Sequence, residues 1–134
     1  MNSKELMIGD WVLINNVPHK IQAIDNINAE IQADNDLYYA GEDRYHSEDK
    51  IEGILTTSEI LEKNGWEYQE NLMVMRIAED VCFLWSKVCG AFSNQLGCYM
   101  CDFKYVHTLQ HFLRFYGRLY ERNDLVELAD NFKV

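Results

Sequence analysis

The spacing of apolar residues changes along the chain, and each change predicts a different element. Through residue 55 the apolar positions come in short runs with turn residues between them. Gly9-Asp10 marks a turn, Trp11–Ile14 reads as a strand, and Asn15-Asn16 can reverse the chain because asparagine tolerates left-handed backbone angles. Residues 20–24 read as the next strand and Asp25-Asn26 as the next turn. Ile27, Ala29, Ile31 and Ala33 alternate with Asn28, Glu30 and Gln32, a period of two that turns one face of a strand inward. Residues 34–36 turn again, 37–39 resume a strand, and 51–55 read as the last. Short strands at this spacing predict an SH3-like antiparallel barrel or sheet over residues 1–55. The polar residues 38–50 read as an exposed loop upon it.

The period then shifts. Thr56 and Glu59 have capping-box spacing, Ile60 and Leu61 give a short apolar face, and Gly65 stands where a glycine ends a helix. So short a helix must dock on something, and Trp66 and Tyr68 just after it are the expected anchors. Residues 72–77, 80–88 and 97–103 read as strands of a second small antiparallel sheet, with 90–97 as a join.

The longest helical period follows, over residues 105–120. Val106, Leu109, Phe112, Leu113, Tyr116, Leu119 and Tyr120 fall in one broad apolar arc at 100° per residue. Lys104, His107, His111, Arg114, Arg118 and Arg122 are spaced by 3, 4, 3, 4 and 4 and line a separate basic arc. Gly117 lies between the arcs; it marks a close approach or an early end, and weakens the helix by ~1 kcal/mol relative to alanine. Asn123-Asp124 can cap one more short helix carrying Leu125, Val126 and Leu128. The sum is a single α+β unit over 1–134: the first sheet at 1–55, then at 56–134 a short helix, the second sheet and an amphipathic helix packed on it.

Composition agrees with a globular chain: 134 residues, 48% hydrophobic, one proline. Charge adds an asymmetry. The formal net charge is −10, and residues 25–80 alone hold fifteen acids against four bases, leaving the rest near neutral. A body this acidic is repelled by nucleic-acid phosphates and anionic membranes. The basic arc stands out against it, either paired with the protein's own acids around Glu42, Asp43, Glu48 and Asp49, or as a docking strip. Neither a signal peptide nor an apolar run of ~18 residues is evident, so the sequence predicts a cytoplasmic protein with reduced thiols.

Four cysteines, Cys82, Cys89, Cys98 and Cys101, raise the question of zinc, but six residues separate the first pair. On an extended strand Cys98 and Cys101 would point to opposite faces, poor geometry for one metal. His107 and His111 have metal-ligand spacing, yet Thr108 stands where the metalloprotease motif needs glutamate and no third ligand is evident on the helix. No P-loop, GxGxxG or GxSxG occurs. The sequence therefore predicts no cofactor, no metal and no catalytic residues. It offers two contact surfaces instead: the arc of Lys104, His107, His111, Arg114 and Arg118, and the tyrosines Tyr38, Tyr39 and Tyr45.

Three segments together resemble a known family. The start ELMIGDWVLINNVPHKIQAID has an IGxxV pattern, TTSEILEKNGWEY lies between, and YVHTLQHFLRFYGRLYE carries a YVHxLQ motif, with Tyr105, Val106, His107, Leu109, Gln110 and Gly117 as its matching residues. They are similar to a family of small uncharacterised Bacteroidetes proteins, many in prophage or mobile-element neighbourhoods. Asp10 stands where that family commonly has asparagine, and this chain runs further at its C-terminus. The resemblance implies the architecture and a bacterial or phage origin. The functional expectation is a non-enzymatic interaction or accessory protein that binds another protein or itself, with a nucleic-acid-associated module on the basic arc as the alternative.

Overall fold

The structure, a computed structural model, describes residues 1–33, 45–69, 72–78, 81–86, 91–94, 99–102 and 104–134. The N-terminal sheet contains β1 (Trp11–Ile14), β2 (Val17–Asp25), β3 (Glu30–Ala33), β4 (Tyr45–Ser47) and β5 (Ile51–Gly53), all antiparallel, in the order β4-β3-β2-β1-β5. Among the described residues no pairing closes it into a barrel. Asn15 and Asn16 both have positive φ, 53° and 62°, and make the two-residue reversal between β1 and β2. Val12, Ile14, Ile21, Ile31, Ala33 and Ile51 form the core of this sheet with Leu6.

Two expectations change here. Residues 27–33 do not make one strand: β3 begins at Glu30, and Ile27 is 97% exposed. The cause is Asp25, whose carboxylate accepts from the amides of Ile27 and Asn28 at 3.0 and 3.1 Å and from Asn28 Nδ2, holding a turn against the alternating pattern. Residues 38–50 are not all loop, because 45–47 pair with β3 as β4 and Glu48–Lys50 form a 3₁₀ turn.

The helix α1 (Ser58–Lys63) starts one residue later than its capping box suggests: Thr57, not Thr56, accepts from the Ile60 amide. Gly65 has φ 89° and ends it as expected. Trp66 is buried and Tyr68 is exposed, so only the first of them anchors.

The second sheet holds β6 (Glu67–Gln69), β7 (Leu72–Ala78), β8 (Val81–Ser86), β9 (Ala91–Asn94) and β10 (Tyr99–Asp102), antiparallel and in the order β10-β9-β8-β7-β6. Strands β6 and β9 lie where the sequence suggested an anchor segment and a join. Met73, Met75, Phe83 and Trp85 point inward with period two. The long helix α2 (Val106–Leu119) lays Val106, Leu109 and Leu113 on them, and α3 (Asn123–Asp130) adds Leu125 and Ala129. Burying each large side chain contributes roughly 1.5–3 kcal/mol, so this is the main core.

Gly117 is the close-approach glycine. A Cβ there would lie 2.7 Å from the Arg122 carbonyl and 2.8 Å from Val126 Cγ2, so α3 folds back directly over it while α2 runs on to Leu119. Asn123 and Asp124 do not cap α3 from outside; they form its first turn, with Arg122 before it and paired to Asp124 at 2.9 Å.

Candidate functional site

The basic arc of α2 divides into an inner and an outer part. Arg114 is 3% exposed and His107 5% exposed, so both are interior. They face the turn leading into β1, where Asp10 is wholly buried. The Asp10 carboxylate takes three donors. Oδ2 accepts from the Met7 amide at 2.8 Å and lies 2.6 Å from His111 Nε2, and Oδ1 accepts from Arg114 Nη1 at 2.8 Å. An ionised carboxylate only accepts, so the contact is a hydrogen bond in the tautomer that carries the proton on Nε2. The guanidinium extends the chain of contacts, because Arg114 Nε donates to Asp130 of α3 at 2.9 Å.

Gln110 completes the arrangement. Its Oε1 accepts from the Trp11 amide at 2.9 Å, and its Nε2 donates to the Gly9 and Ala129 carbonyls, each at 2.9 Å. One buried amide thus ties α2 to the β1 turn and to α3. Gly9, with φ 92°, is required there: a Cβ would come 3.0 Å from Arg114 Nη2. That Nη2 and the Nδ1 of His107 are buried with no hydrogen-bond partner. The His107 ring stacks on Tyr105 at 5.7 Å and meets His111 edge-on at 5.8 Å. Burial pushes the His107 pKa below the ordinary 6.5; Asp10 and Glu5 pull the other way and His111 adds to the lowering.

The outer part is different in kind. Phe115 is 65% exposed and Leu119 60%, one turn apart, with exposed Arg118 beside them. No ion pair of Arg118 occurs among the described residues. Met7 and Ile8, on the turn that Arg114 holds, are exposed as well, and Arg114 Nη1 lies 3.8 Å from Met7 Sδ. Lys104 is exposed at the start of α2 with its ammonium 5.3 Å from the Tyr105 ring centroid.

The structure therefore separates the residues that spacing had grouped. His107 and Arg114 join His111 in an internal polar cluster, and Lys104 and Arg118 stay outside. The acids that pair with the arc are Asp10, Asp130 and Asp124. Glu48 instead accepts from the Ser3 amide at 2.8 Å, and Glu42 and Asp43 lie outside the described residues. So do Tyr38 and Tyr39; Tyr45 belongs to β4 through its backbone. Cys82 is in β8 and Cys101 in β10, while Cys89 and Cys98 lie outside the described residues. Among the described residues no group of three His, Cys, Asp or Glu could hold a metal ion.

Sequence reasoning missed Asp10, Asp130 and Gln110. One signal was available: Gln110 falls amid Val106, Leu109, Leu113 and Gly117, where a polar side chain on a buried face must have partners. Comparison of the chain with protein-family models, with curated proteins and with solved structures gave no match.

Proposed function

We propose that this chain is a non-enzymatic interaction protein that binds another protein through the outer ridge of α2, with Phe115, Arg118 and Leu119 as the contacts. The observation that carries the reading is the exposure of two large apolar side chains one turn apart on a helix whose opposite face is fully packed. Aromatic and arginine side chains are the types that anchor interfaces. In the same reading the chain works in the cytoplasm, and the resemblance to small Bacteroidetes prophage-associated proteins fits an accessory role. The meander order of the first sheet, with a 3₁₀ turn between β4 and β5, supports an SH3-like identity for it. Among the described residues no helix is long and apolar enough to cross a membrane.

The nucleic-acid alternative draws on the same arc and is weakened by it. Two of its members, His107 and Arg114, are buried, and Arg122 is occupied by Asp124. Salt-sensitive binding to mixed oligonucleotides at ~50 mM salt would favour that alternative.

The decisive experiment compares wild type with a Phe115→Ser/Arg118→Glu/Leu119→Ser variant in affinity capture, with melting temperatures measured alongside. Loss of a specific partner at unchanged stability is the expected result. Identical partners for both proteins would overturn the reading.

A further inference from the structure

The turn at residues 7–11 and α2 are joined by polar contacts around one buried carboxylate. Gln110, His111 and Arg114 all reach the turn from α2, and Asp130 of α3 holds Arg114 from behind. Backbone bonds from Gly9 to Ile21 at 2.8 Å and from Ile21 to Asp10 at 2.9 Å carry the turn on the N-terminal sheet. The joint is therefore where that sheet meets the helical layer. One turn before His111 sits His107, buried, with no partner for Nδ1.

We propose that this joint is a proton-sensitive switch: when His107 takes up a proton, its buried charge loosens the grip of α2 on the turn at residues 7–11. A neutral imidazole tolerates a buried lone pair on Nδ1. An imidazolium there has a charged N–H with no acceptor, which is far costlier. The charged groups that act on it are Asp10 on the turn, Glu5 in the 3₁₀ segment Ser3–Glu5 and His111 on α2; beyond Asp10 lie Arg114 of α2 and Asp130 of α3, whose carbonyl accepts from Lys20 Nζ of β2 at 2.7 Å. Of the two carboxylates nearest in sequence to the turn, Glu5 is exposed, and Asp10 is already engaged by three donors. A proton on His107 therefore puts a charge on a buried ring whose Nδ1 has no acceptor in the closed joint, and opening the joint to water relieves that cost.

Because burial holds the His107 pKa below 6.5, the proton enters only at a lower pH than in an ordinary histidine. The other end of the N-terminal segment responds later. The Ser3 amide on Glu48 holds that carboxyl below its ordinary 4.5, so the tie between Ser3 and Glu48 is kept while the pH stays above 4.5.

The test is an NMR titration of the full chain from pH 7.5 to 4.5. The amides of Met7 and Trp11, which report the bonds to Asp10 and Gln110, are expected to shift with the midpoint of the His107 ring while the Ser3 amide stays still. Their exchange protection is expected to fall by up to tenfold per pH unit between pH 6.5 and that midpoint, the slope of one linked proton, and to level off below it. His107→Phe keeps a ring on Tyr105 but cannot titrate, and should abolish the response. The same acid response in His107→Phe would overturn the proposal. Where that variant does not fold, the wild-type midpoints decide: a Met7 or Trp11 midpoint that departs from that of His107 overturns it equally.

Discussion

Arg114→Leu is the sharpest test of the interior cluster. The wild-type guanidinium holds Asp10 at 2.8 Å and Asp130 at 2.9 Å, with side-chain exposures of 4%, 0% and 54% for Arg114, Asp10 and Asp130. Leucine fills much of the same volume and removes the charge. The Asp130 contact is half in water and contributes little. The Asp10 contact is dry, and removing one partner of a buried pair costs about 3–5 kcal/mol because the other charge is left uncompensated. His111 and the Met7 amide still engage Asp10, which places the loss toward the lower figure. For a chain of 134 residues that corresponds to a melting-temperature fall of about 10–15 °C. Urea unfolding followed by tryptophan fluorescence measures it directly, with an unchanged m-value showing that the same surface unfolds. Combining Arg114→Leu with Asp10→Asn should cost less than the two single changes added, since no stranded charge remains. A loss below ~1 kcal/mol, the value of an exposed ion pair, would refute the argument and return Arg114 to the surface.

Other changes probe neighbouring features. Gln110→Ala strands the Trp11 amide and the Gly9 and Ala129 carbonyls, and should cost about 2–4 kcal/mol in the same unfolding assay. Gly117→Ala raises helix propensity by ~1 kcal/mol, yet its Cβ would meet the Arg122 carbonyl at 2.7 Å, so the net change in urea midpoint should be destabilising by about 1–3 kcal/mol. Native His107 releases its proton more readily than the unfolded chain, so stability should be constant above pH 6.5 in this respect and fall as pH drops below 6.5; unfolding at pH 7.5, 6 and 5 should show that slope, reduced in His107→Phe.

Much of the fold was legible because local signals and tertiary packing agree. Asn15-Asn16, Gly65 and the strand runs that become β7 and β8 act where sequence pattern says they should. Failures came where a side chain overrode a pattern. Asp25 captured two amides and shortened β3 against a clean alternation. Strand β6 carries exposed Glu67, Tyr68 and Gln69, and an edge strand wet on both faces leaves no periodic trace.

The cluster was hidden for another reason. Helical spacing says which side chains share a face, and says nothing of what lies opposite. Arg114 and Asp10 are 104 residues apart in sequence, so no local pattern links them. Once they are joined, the residues of the late segment acquire packing roles: Val106, Leu109 and Gly117 are buried, Gln110 clamps Gly9 and Trp11, and His107 lies beside the cluster. The IGxxV and YVHxLQ segments thus meet in space and hold the N-terminal sheet to the helices. Residues occupied in this way account for architecture and leave recognition to others. Phe115 and Arg118 are exposed and have no such employment in the core, which is why the outer ridge of α2, and not its buried face, is where a partner should be sought.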